Sequence, residues 1–276
     1  MNAPAARRWL TARGPLRVPA RITAVFWLIK GLSTAMGEST SDYLVHHMAP
    51  QLAVVLGFAG LVAALALQYR AGGYRPQTYW LAVVMVGVFG TMAADVLHVG
   101  LGVPYTVSTA LYAAVLGAVF LLWRRTEKTL SIHSIDSPRR EAFYWAAVVA
   151  TFAMGTALGD FTAYTAHLGY FPSAALFAAM IAVPAAGYRW GRWNPVLSFW
   201  FAYVVTRPLG ASIADGLAKP PSVSGLGVGA GPVVLGLGAL IAALVAYLTM
   251  AATHQRRPLP IRVETTPSET RRSETS

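Results

Sequence analysis

Residues 26–42 read FWLIKGLSTAMGESTSD, and three later stretches lie over them without a gap: YWLAVVMVGVFGTMAAD at 79–95, YWAAVVATFAMGTALGD at 144–160 and FWFAYVVTRPLGASIAD at 199–215. Each begins with an aromatic residue and Trp, places Gly after nine further residues and ends on Asp after four more. The tryptophans are Trp27, Trp80, Trp145 and Trp200; the glycines are Gly37, Gly90, Gly155 and Gly210; the aspartates are Asp42, Asp95, Asp160 and Asp215. A fixed period of this kind decides the architecture before any single residue is interpreted.

Between the motif stretches lie apolar runs opened by Pro50, Pro104, Pro172 and Pro232. Proline suits a first helical turn, where its missing N–H has no intrahelical partner to lose. The pattern predicts helices at 22–45, 50–69, 79–100, 104–123, 142–167, 172–190, 196–218 and 232–253, each near the ~20 residues that cross a bilayer. The fold expected is an all-α integral membrane protein of eight transmembrane helices, arranged as four tandem helical hairpins. The repeats span about 22–70, 75–124, 140–190 and 195–253 within a membrane domain at 22–253. A basic tail at 1–21 precedes it, and a tail at 254–276, rich in Arg, Pro, Ser, Thr and Glu, is expected to be disordered.

Composition agrees, since 55% of the chain is hydrophobic and only 12% charged, about half the charged share of soluble domains. The net charge of +11 is no nucleic-acid signature, because the basic residues sit in short clusters between apolar runs. Without cysteine, disulfides and thiolate metal sites are excluded. The first apolar run contains Lys30, Glu38 and Asp42 and does not read as a cleavable signal. Of the 22 Lys and Arg, all but Lys30, Arg207 and Lys219 fall in the tails or in the loops after the second, fourth and sixth helices. Cationic loops stay inside, so both termini are expected in the cytoplasm of a bacterial cell, with the chain in its plasma membrane.

On the four motif copies the sequence resembles a bacterial family described only as uncharacterised membrane-anchored proteins, built of four repeats of unknown function. Each repeat in that family holds two transmembrane segments and a characteristic tryptophan. The resemblance covers roughly residues 22–253; it implies a fold and a membrane location and brings no activity with it.

The motif residues therefore carry the functional reading. The aromatic-Trp pairs are expected to anchor at the headgroup boundary, and the glycines to let helices approach closely. Each Asp falls fifteen residues past its Trp, about 22 Å deeper at 1.5 Å per residue, near the partially negative end of its helix. Two explanations stay open for four acids so placed. Each caps the helix that follows it, or together they gather around a cation or proton. Lys30, Thr34, Glu38 and Asp42 form a polar stripe at i+4 spacing, and Arg207 with Pro208 puts a charge and an expected distortion into the last repeat. His46, His98 and His167 follow the aspartates and, with them, form a candidate set for a bound metal cation; no other cofactor is evident.

No Walker loop, zincin helix or nucleophile elbow is present. The function expected is a small secondary transporter or exporter of a cation, a metal ion or a proton-coupled solute, with Glu38, Asp42, Asp95, Asp160 and Asp215 as its site and Lys30, Thr34 and Arg207 beside them. The alternatives are a non-transporting scaffold or sensor with structural aspartates, and a membrane enzyme on a lipid-like substrate. The partners expected are the lipid bilayer and a small ion or solute, with no nucleic acid.

Overall fold

A computed structural model describes residues 14–255. Arg7, Arg8 and Arg13 of the basic tail, and the C-terminal tail past residue 255, lie outside the described residues.

Eight long helices account for the described chain: α1 (Ala24–His47), α2 (Pro50–Arg70), α3 (Pro76–Asp95), α4 (Tyr105–Glu127), α5 (Pro138–Asp160), α6 (Tyr170–Arg189), α7 (Pro195–Ala218) and α8 (Ala230–Gln255). All but α1 are long and apolar enough to cross a membrane. Thr23 caps α1, its hydroxyl accepting from the Phe26 N–H at 3.3 Å. The motif helices α3, α5 and α7 begin earlier than the aromatic pairs suggest, because Pro76, Pro138 and Pro195 take the first helical position as Pro50 does in α2. Past Asp95 and Asp160 the helix widens into single π-helical turns, Val96–Gly100 and Phe161–Thr165. α7 continues unbroken through Pro208, whose missing N–H frees the Val204 carbonyl instead of ending the helix.

The motif helices α1, α3, α5 and α7 pack in a closed ring, each against the next and α7 against α1. Around it, each return helix packs mainly on the motif helix of the following repeat: α2 on α3, α4 on α5, α6 on α7, and α8 back on α1. The covalent hairpin is thus a connection, and the main packing pair straddles two repeats.

The motif glycines make this ring possible. A β-carbon at Gly37 would come within 2.7 Å of the Gly87 backbone, one at Gly90 within 2.7 Å of Phe152 Cβ, and one at Gly155 within 2.7 Å of Arg207 Cβ. At Gly210 it would run into Thr34. In the motif alignment Thr34, Gly87, Phe152 and Arg207 occupy one position, so the same contact recurs around all four interfaces. Close approach between small residues is how helices associate where no hydrophobic drive separates helix from lipid.

Candidate functional site

Four layers of side chains stack along the axis of the ring. The first belongs to the aromatic pairs, and it joins neighbouring repeats. Phe26 meets Trp80 at 5.4 Å between ring centroids, Tyr79 meets Trp145 at 5.7 Å, Tyr144 meets Trp200 at 6.1 Å, and Phe199 returns to Trp27 at 5.8 Å. The Tyr79 and Tyr144 hydroxyls hydrogen-bond each other at 2.6 Å. This corrects the expectation of interfacial anchors, because Trp80, Trp145 and Trp200 are buried and only Trp27 keeps part of its ring exposed. Their rings mesh with the adjacent repeat, and that packing outweighs the headgroup preference. Tyr188, Trp190 and Trp193 are among the aromatic residues exposed near this end.

The segment before α1 closes the layer from outside. Val18 is 1% exposed and lines one small void with Phe26, Tyr79, Tyr144 and Phe199, the leading aromatics of all four repeats. Arg17 holds it there by an ion pair to the fully buried Glu141 at 2.6 Å. Gln68 donates to both the Arg17 carbonyl and Glu141, each at 3.0 Å, and accepts from Thr78 at 2.8 Å.

One turn further in sits Lys30, fully buried, its ammonium 4.4 Å from the ring centres of both Phe152 and Tyr203. Its Nζ has no hydrogen-bond partner among the described residues. Two ring faces supply a cation with some of the attraction that water would give.

The third layer is a charge cluster shared by all four motif helices. Arg207 Nη2 lies 2.5 Å from Glu38 Oε2, from Thr91 Oγ1 and from Thr156 Oγ1. Thr91 also donates to Glu38 at 3.2 Å. Glu38, Thr91 and Thr156 each follow the motif glycine of their repeat, and the fourth copy has Ala211 there. That column, read down the alignment as Glu, Thr, Thr, Ala, was the signal available for Thr91 and Thr156, which the candidate set lacks. Thr34 stands beside the cluster, its hydroxyl on the Gly31 carbonyl at 2.6 Å and near that of Thr206 at 3.4 Å. Arg207 Nε and Nη1 have no acceptor among the described residues.

The last layer holds the aspartates. Asp95 and Asp160 are the last residues of α3 and α5, and Asp42 and Asp215 lie near the ends of α1 and α7, about one turn past the Glu38 level. The four acids thus share the mouth of the ring. The residues before α2, α4 and α6 are Ala49, Pro104 and Gly169, none of which caps its helix through a side chain. From the end of α7, Lys219 reaches Asp42 on α1 at 2.5 Å and stands 3.9 Å from Asp215. Burial pulls the Lys219 ammonium toward deprotonation, but the carboxylates of Asp215 and Asp42 outweigh it and hold the group above the usual lysine range. Five carboxylates therefore share the ring with two ion-paired cations, Arg207 and Lys219.

The histidines do not join them. His46 Nδ1 bonds the Asp42 carbonyl at 2.6 Å, His98 Nδ1 bonds that of Val103 at 2.6 Å with its ring stacked on Tyr105, and His167 occupies a left-handed turn. Among the described residues no group of three or more His, Asp or Glu side chains is close enough to hold a metal ion. The His46 and His98 imidazoles are taken up by backbone carbonyls at the helix ends.

A closed ring of four motif helices, with one acid per repeat at its mouth and a shared ion pair at its centre, defines an all-helical tandem-repeat protein of membrane-type composition. A family model for the Repeat of Unknown Function (DUF347) matches residues 25–74, 78–129, 143–192 and 198–253, and the chain belongs to that family. No curated protein and no solved structure matches it.

Proposed function

We propose that the chain is a small secondary transporter or exporter of a cation, lying in a bacterial plasma membrane with the Trp end of the ring at the cytoplasm and the Asp end outside. The observation that carries this reading is the placement of Asp42, Asp95, Asp160 and Asp215, one per repeat, at the same end of the closed ring of motif helices, about one turn past the Glu38–Arg207 pair. Rings of carboxylates concentrate and select cations, and an excess of acids over bases inside a bundle calls for protons or a bound cation. The charge clusters at the Trp end supply the orientation.

Glu38 gives the site a way to respond. It stands one turn before Asp42 on α1 and pairs with Arg207. A cation entering the ring competes with Arg207 for it, and a freed Arg207 must find another acceptor or move. Arg207 also places positive charge across the axis beyond the aspartates, which bars a free leak of cations and makes passage depend on rearrangement. Carboxylates that surround a charge without closing on it suit a hydrated ion or an organic ammonium better than a dehydrated transition metal.

The test is flux in proteoliposomes across a panel of Na⁺, Mn²⁺, Zn²⁺ and tetramethylammonium, with a pH dye trapped inside. Transport of at least one cation, reduced tenfold or more in Glu38→Gln and in Asp160→Asn, supports the reading; wild-type rates in both variants reject it.

A second reading, a sensor or scaffold, draws on the closure of the axis by Val18 and the aromatic layer. It predicts that the same substitutions change thermal stability and leave no flux to lose.

A further inference from the structure

A second site lies away from the axis. Near the Trp end, α6, α7, the start of α1 and the α4–α5 connection line a half-open cavity of about 580 Å³, within the size range of small-molecule sites. Its wall is mostly apolar, with Trp27, Pro184 and Ala202 among its members. The polar groups are few and alike in what they offer. Arg189 and His133 line it, and neither has an ion pair or side-chain hydrogen bond among the described residues. Ser198 also lines it; this residue is 8% exposed, and its Oγ is buried without a partner. No Asp or Glu contributes to the wall. A buried hydroxyl left unpaired is costly unless a ligand satisfies it. The exposed rings of Tyr188, Trp190 and Trp193 surround Arg189 in sequence, the combination that marks a headgroup level.

We propose that this cavity binds a single-chain anionic amphiphile, its alkyl tail along Trp27, Pro184 and Ala202 and its oxyanion head at Arg189, His133 and Ser198. A guanidinium pairs with an oxyanion through two parallel N–H bonds, a geometry that favours phosphate or carboxylate over a neutral head. The site is independent of the aspartate ring and stands whether or not the chain transports a cation.

Dodecyl phosphate carrying bromine on its chain is the probe, since bromine quenches indole fluorescence on contact and Trp27 lines the cavity. In phosphatidylcholine nanodiscs the full chain should show saturable quenching that is largely lost in Trp27→Phe. Arg189→Gln, an exposed change that leaves the packing alone, should weaken binding about tenfold. Ala202→Phe, which fills the cavity, should abolish saturation. Dodecyltrimethylammonium and inorganic phosphate should not compete. Competition by lysophosphatidylglycerol, a single-chain anionic lipid, supports the proposal with the bilayer as the source, and its failure to compete while dodecyl phosphate still saturates supports it with a soluble amphiphile as the source. Quenching that rises linearly without saturation, or that is unchanged in Arg189→Gln and competed equally by the ammonium chain, overturns it.

Discussion

Gly210 of the last motif helix seats against Thr34 of the first, so closely that a β-carbon there would overlap the threonine side chain. With it the contact that starts at Gly37 and Gly87 passes through every repeat and returns to its origin. The fourfold recurrence gives a glycine test with an internal control. Gly37→Ala should destabilise the protein by about 1–3 kcal/mol, the usual effect of overpacking, because the Gly87 backbone cannot yield. Gly31→Ala, on the same helix with nothing within 4 Å, should be neutral or stabilise by roughly 0.5–1 kcal/mol, the helix preference of Ala over Gly. Thermal unfolding in detergent measures both; equal losses would mean that the ring contact is not what the glycine serves.

Arg207 and Glu38 form a buried pair with threonines of two other repeats around it. Removing one member strands the other, so Arg207→Met or Glu38→Leu alone should cost about 3–5 kcal/mol. The double variant should recover much of that, since an apolar pair replaces an ionic one without leaving a charge behind. A double-mutant cycle read by denaturant unfolding decides it; additive losses would show the two charges to be independent.

Lys219 offers a pH readout at the Asp end. Its folded-state pKa is raised by Asp215 and Asp42 against the pull of burial. A base held above its unfolded value stabilises the fold in full below that value and stops doing so as pH rises through the folded one. Lys219→Gln should therefore lower Tm equally at about pH 7 and pH 9, with the gap to wild type closing only above roughly 10.4, the ordinary lysine pKa. A gap that already shrinks by pH 9 would show that the carboxylates do not hold the ammonium.

The Arg17–Glu141 pair should act as the latch of the segment over the aromatic layer. With no native cysteine, Val18→Cys introduces a single thiol at a position that is 1% exposed. A bulky maleimide should label it slowly in the parent and at least tenfold faster when Arg17→Ala is added. Equal rates would place the holding force elsewhere, in Val18 itself or in Gln68.

Much of this was legible in the motif. Period, helix number and the inward stripe of Lys30, Thr34, Glu38 and Asp42 follow from spacing alone, because a helix carrying four polar groups on one face cannot turn that face to lipid. Closure of the ring was not legible. Whether Gly210 meets Thr34 or faces outward depends on packing between residues far apart in the chain, and nothing local encodes it. The burial of Trp80 and Trp145 was not legible for a related reason, since it depends on the neighbouring repeat. Thr91 and Thr156 are ordinary helix residues until Arg207 arrives from another helix, and only the aligned column hints at them. The Arg17–Glu141 pair joins residues more than a hundred positions apart, outside any repeat.

The offset pairing of outer helix with following motif helix gives the chain an order of completion. Three motif helices receive their cover as soon as they are made, because α2, α4 and α6 each precede the partner they lie on. α1 alone has to wait for α8. It is also the helix whose composition suits lipid least, while α8 has the highest mean hydropathy of the spans, 2.4. Until the final helix emerges, the flank of α1 where Met36 meets Gly238 and Tyr43 meets Gly231 stays bare, so an interrupted polypeptide leaves its first helix without an outer partner.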